Sequence, residues 1–135
     1  MATPVVSIDL VDTMFKFMYS SISSPCSNAT TCDQALVNVT TRDYNGNVQT
    51  WGPISTATAT QSSSNPNSLS CNYDGSAFSC KLVFLAPVNG YIQSIDLTVR
   101  VLGNTVNALE YTFYLGNDMP ISQGMIYTVI MQFVR

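Results

Sequence analysis

Residues 91–115 read YIQSIDLTVRVLGNTVNALEYTFYL, and their period decides the fold class. Ile95, Leu97, Val99 and Val101 alternate with polar residues, and Leu109, Tyr111, Phe113 and Leu115 do the same beyond a Gly-Asn turn signal. A period of two is that of a strand with one buried face, whereas a helix would repeat near 3.6. The two runs must bury the same face to share a core. A two-residue Gly103-Asn104 loop would put them on opposite faces. An odd loop such as Gly103-Asn104-Thr105 pairs Val99 with Leu109 and Leu97 with Tyr111, and is the connection predicted. In this register Asp96, Glu110 and Arg100 share the other face as a polar patch.

The same alternation runs outward in both directions. Upstream it predicts strands at Val5–Val11, Met14–Ser20, Leu36–Tyr44, Val48–Ile54, Leu69–Tyr73 and Ala77–Leu85, ahead of Tyr91–Leu102 and Val106–Leu115; downstream it predicts Met125–Val134. Within Asp12–Ile22 a helical stripe of Met14, Phe15, Met18 and Ile22 behind an Asp12 cap competes with the strand, which is preferred. Eight or nine strands with little or no helix in 135 residues describe a single all-β domain, 1–135, an antiparallel β-sandwich of jelly-roll or immunoglobulin-like type.

Two turns can be placed by their chemistry. Asn45-Gly46 in RDYNGNVQ predicts a tight hairpin with positive φ at both central positions. In CNYDGSAFSC, residues 71–80, a turn centred on Asp74-Gly75 would set Cys71 opposite Phe78. Centring it on Gly75-Ser76 sets Cys71 opposite Cys80 at a non-hydrogen-bonded site, where the Cα atoms come close enough for a disulfide. Residues 55–68, STATATQSSSNPNS, read as a polar loop.

The four cysteines form two close pairs, Cys26 with Cys32 and Cys71 with Cys80. Their gaps differ from those of zinc sites, and no His is present to complete a mixed one, so two local disulfides bracing loops are expected and no metal. Two glycosylation sequons begin at Asn28 and Asn38.

Composition narrows the function. The chain lacks His, which removes the usual general base, and its carboxylates have structural explanations: Asp43 and Asp74 flank turns, and Asp12 ends or caps an element. No catalytic residue and no cofactor is expected. Five cations scattered singly cannot form a phosphate-binding face, which argues against nucleic acid. No window has the length of apolar sequence needed for a membrane-spanning helix, and the first residues lack the basic region and apolar run of a signal peptide.

Only 10% of residues are charged, so the surface is polar yet nearly neutral, suited to lying against neighbours. Met125–Val134, MIYTVIMQFV, is apolar on both faces. It is expected either as a central strand or as one covered by another subunit, with Ile126, Thr128, Ile130, Trp51 and Tyr44 as interface candidates. Disulfides without a leader suit a protein assembled inside a cell that must last outside it. The expectation is a structural subunit of a virion (capsid, turret or decoration protein), with copies of itself or other structural proteins as partners. A thermophilic archaeal host fits the disulfides, although Lys and Glu are scarce. The alternative is a secreted pilus or adhesin subunit, or a glycan-binding module using Trp51, Tyr44 and Tyr73.

Overall fold

The computed structural model describes Tyr19 and residues 34–56, 66–100 and 107–134. Its elements there are eight strands: β1 (Gln34–Asp43), β2 (Val48–Ser55), β3 (Ser68–Tyr73), β4 (Ala77–Leu85), β5 (Gly90–Arg100), β6 (Asn107–Tyr114), β7 (Pro120–Ile121) and β8 (Ile126–Val134). They form two antiparallel sheets, one in the order β2-β1-β5-β6 with β7 beside the start of β5, the other β3-β4-β8. The chain is an all-β sandwich. The expected strands Val5–Val11 and Met14–Ser20 lie outside the described residues, except that Tyr19 has helical backbone, as in the competing helix, and leans half-buried on the core.

Leu97 pairs with Tyr111 and Val99 with Leu109, as expected. The register then shifts, Arg100 pairing with Asn107 and Ala108 being left as an extra residue, so the expected odd-loop register does not continue to the loop, which itself lies outside the described residues. Ile95, Leu97 and Val99 are fully buried, facing Phe78, Leu82, Phe84, Met131 and Phe133 of the other sheet in one core. Phe133 joins the layers, its ring 6.5 Å from that of Phe78 on its own sheet and 5.4 and 5.6 Å from those of Tyr111 and Phe113 opposite. Burying such aromatics supplies the largest apolar area per residue and favours edge-to-face contacts.

Two further irregularities shape the first sheet. The β1–β5 register shifts between Thr40 and Thr41, leaving Gln93 as an extra residue on β5, so Ile92 and Ile95 both point inward although three apart. The Gln93 carbonyl then accepts the N–H groups of Leu115 and Gly116, fixing the exit from β6. On β2 the register shifts opposite Val37 and Val39, at the cis Gly52-Pro53 peptide, which turns Trp51 and Ile54 to the same inner side. The strand β7 was not expected, because two residues beginning with Pro carry no alternation.

Both hairpins form, one as expected and one corrected. Cys71 pairs with Cys80; Gly75 has φ +94°, the sign a type II′ turn needs first, and Asp74 N–H donates to Ala77 O at 3.2 Å. At the other hairpin the loop has three residues, Tyr44-Asn45-Gly46, with Arg42 opposite Val48 and Gly46 at φ +85°. Asp43 decides this. Its carboxylate accepts the N–H groups of Asn45 and Asn47, both at 2.9 Å, and its carbonyl accepts Gly46 N–H, which builds a turn followed by a bulged glycine.

Candidate functional site: an apolar strand face and an interlayer cleft

The last strand faces two ways. Tyr127, Val129, Met131 and Phe133 pack inward, and Ile126, Thr128, Ile130, Gln132 and Val134 point out. Ile126 is 56% exposed, Ile130 58% and Val134 42%. Of the two placements expected for this strand, the central one is not found: among the described residues β8 pairs only with β4 and stands at the edge of its sheet. Among the described residues nothing covers its apolar outer face. Half-buried Leu85 and Val83 of β4 lie across from Ile126 and Thr128 and widen the patch, while Lys81 lies across from Ile130.

Ile130 also opens onto a second feature. A groove of about 410 Å³ runs between β6 and β8, lined by Tyr111, Phe113, Tyr114, Leu115, Ile130, Met131 and Gln132. Tyr114 is 83% exposed. Apolar surface thus wraps from the outer face of β8 round its edge to the rim of the neighbouring sheet. Of the interface candidates, Ile126, Thr128 and Ile130 share this face. Tyr44 and Trp51 do not: Tyr44, on the hairpin loop, meets Tyr91 edge-to-face at 5.7 Å, and Trp51 points inward from β2.

Trp51 instead borders an opening between the sheets, about 370 Å³, whose described lining is Trp51, Asn67, Phe84, Leu85, Ala86, Pro87, Gln123 and Gly124. Its indole N–H donates to Thr41 Oγ1 at 2.9 Å, which holds the ring in place. The trio of Trp51, Tyr44 and Tyr73 is not a single platform, since Tyr73 packs half-buried against the core from β3. Nothing local in the sequence marks Asn67 and Gln123 as neighbours of Trp51, because only the stacking of the two sheets joins them.

The disulfide Cys71–Cys80 bridges β3 and β4 with Cα atoms 4.0 Å apart. It was expected to brace an exposed loop. Cys80 is instead 1% exposed and belongs to the core, with Cys71 packed half-buried against it. Cys26, Cys32 and Asn28 lie outside the described residues. Asn38 is half-buried on the outward side of β1, paired with Asp96 of β5 and set at the register shift against β2, and a Cβ on Gly52 would come within 2.8 Å of its Oδ1.

The carboxylates sort by their bonds. Asp43 is held below the ordinary aspartate value chiefly by the backbone N–H of Asn47, and Asp74 chiefly by that of Ser76 with Ala77 next. Both act as turn anchors. Asp96 accepts Thr112 Oγ1–H at 2.6 Å, and Glu110 stands one diagonal step away on the outer face. No group of His, Cys, Asp or Glu suited to a metal ion occurs among the described residues, and no helix there is long and apolar enough to cross a membrane.

No protein-family model, curated protein or solved structure matches this chain.

Proposed function

We propose that this chain is a structural subunit of an extracellular assembly, a coat, turret or decoration protein of a virion, acting by packing against further copies of itself. The observation that carries the reading is the outer face of β8, where Ile126, Ile130 and Val134 are about half exposed on a sheet edge that continues into the β6–β8 groove. Contiguous apolar surface of this kind marks an interaction site. The scarcity of charge leaves little like-sign repulsion between copies, and a disulfide within the core suits life outside a reducing compartment. A thermophilic host belongs to the same reading and rests on the cysteines alone.

Burying the exposed half of each aliphatic side chain contributes about 1 kcal/mol. Three such residues do not meet the roughly 4–15 kcal/mol of lost translational and rotational freedom on association. A single contact is therefore weak, and the groove with Tyr114 must join it. Many weak contacts made at once give a lattice that is stable as a whole.

Sedimentation velocity over a wide concentration range tests this. The wild type should show concentration-dependent larger species, and Ile126→Lys with Ile130→Lys should return it to monomer with the thermal midpoint little changed. A wild type that stays monomeric throughout, or a double variant that associates equally well, overturns the proposal.

A further inference from the structure

The cleft beneath Trp51 has chemistry the assembly reading does not use. Its floor and walls are apolar: Phe84 is 1% exposed, and Leu85, Ala86, Pro87 and the Trp51 indole surround it. Its rim carries two primary amides, Asn67 and Gln123, and none of its described lining residues is Asp, Glu, Lys or Arg. A charged ligand would find no counter-ion among these described residues and would lose hydration without return from them.

The amide of Asn67 is oriented by the fold. Its Oδ1 accepts the backbone N–H of Leu85 at 2.7 Å, which leaves the Nδ2 hydrogens as donors at the cleft. The opposite rim is latched to the scaffold as well: Gly124 N–H donates to Ala86 O at 2.9 Å, Ala86 N–H to Met125 O at 2.9 Å, and Gln123 N–H to Asn89 Oδ1 at 2.8 Å. The indole N–H is already engaged by buried Thr41, so Trp51 presents ring surface and not a donor. The result is an apolar wall with two neutral amides on its rim, that of Asn67 held by a hydrogen bond and that of Gln123 carried on a backbone bonded to Asn89, in a volume at the lower end of the range of small-ligand sites.

We propose that this cleft binds an uncharged saccharide, with one face of a pyranose ring against Trp51 and its hydroxyls bonded to the amides of Asn67 and Gln123. A ring with an apolar C–H face and a rim of neutral hydroxyls satisfies both halves of the site. A purely apolar ligand would strip water from the Asn67 amide and leave its donors unpaired, which costs free energy. The cleft adjoins the outer patch of β8 through Leu85, but neither Ile126 nor Ile130 lines it, so variants of Asn67 and Gln123 test saccharide binding and variants of Ile126 and Ile130 test assembly.

Trp51 is the sole tryptophan in the chain, so its fluorescence reports on this cleft alone. The test is titration of the full chain with glucose, galactose, mannose, N-acetylglucosamine, maltose and lactose, followed by fluorescence and by amide NMR. At least one of these should bind saturably and shift the Trp51 indole N–H and the side-chain amides of Asn67 and Gln123. Asn67→Asp keeps the acceptor for Leu85 N–H but removes the donor, so it should weaken binding roughly three- to tenfold, the equivalent of one hydrogen bond. Gln123→Glu reads the other rim, and serves should Asn67→Asp fail to fold. No saturable binding by any of the six sugars, unchanged affinity in the folded amide variants, or cyclohexanol binding as tightly as the best sugar would each overturn the proposal.

Discussion

Cys71 and Cys80 stand directly opposite one another on β3 and β4, their Cα atoms 4.0 Å apart, and the disulfide between them lies on the core side of the sheet. Two residues nine positions apart in the sequence meet because the hairpin between them turns at Gly75-Ser76.

That bridge closes a small loop, for which the chain-entropy account assigns about 2–3 kcal/mol. Cys71→Ala with Cys80→Ala should lower the urea unfolding free energy by about that amount, with the core gap left by Cys80 adding to it. The double variant is a cleaner probe than a reductant, which would also reach the other two cysteines. An unchanged midpoint would show that the bridge constrains nothing the turn does not already constrain.

Phe133 touches rings on both sheets, Phe78 on one side and Tyr111 and Phe113 on the other, and is 3% exposed. Truncating a buried phenylalanine to alanine costs about 3–5 kcal/mol through lost transfer energy and the cavity left behind. Phe133→Ala should fall in that range by chemical denaturation. Tyr114→Ala, on the same groove but 83% exposed, should change stability by no more than about 0.5 kcal/mol.

Two glycines should respond differently to alanine. A Cβ at Gly90 would lie 2.1 Å from Arg42 O and 2.7 Å from Asp43 Cα, backbone atoms that cannot yield without parting β1 from β5. Gly90→Ala should cost about 3 kcal/mol or more, the upper end of overpacking. Gly46, at φ +85°, has nothing within 4 Å of its Cβ site, so Gly46→Ala meets only the backbone strain of the left-handed region, about 1–2 kcal/mol. Thermal midpoints of the two variants rank them.

Asp43 and Asp74 carry the pH dependence of the two turns. Both are held below 3.8, Asp43 mainly by Asn47 N–H and Asp74 mainly by Ser76 N–H. A carboxyl whose folded value is depressed adds stability that is complete above its unfolded value. That stability is lost as the pH falls through the folded value, here on acidification below about pH 4. Carboxyl-carbon NMR should place both midpoints below 3.8. Asp74→Asn should flatten the acid decline of the denaturation midpoint, and an equally steep decline would assign it to other groups.

Much of the sandwich was legible in residues alone. The alternation of 95–101 and 109–115 sets which faces share a core, and one parity argument yields the observed pairs Leu97 with Tyr111 and Val99 with Leu109. Cys71 opposite Cys80 follows from centring the turn on Gly75-Ser76, with glycine at its first central position. These are local consequences, since period and turn geometry act between residues close in the chain. At Asn45-Gly46 the same logic chose the wrong loop, because the Asp43 carboxylate competes for the turn's N–H groups and a dipeptide rule does not include it.

What only the tertiary structure decided depends on contacts between distant segments. The extra residue at Gln93 lets Ile92 and Ile95 face inward together, and the irregularity at Gly52-Pro53 turns Trp51 into an interlayer cleft beside Asn67 and Gln123. Residues 126–134 are apolar on both faces in the sequence, and that pattern is the same for a central strand as for an edge strand. Only the stacking of two sheets, with β4 as the partner of β8 among the described residues, leaves Ile126 and Ile130 facing outward. The reason is physical: alternation records which side chains seek burial, and the packing of sheets determines which of them this one chain can bury.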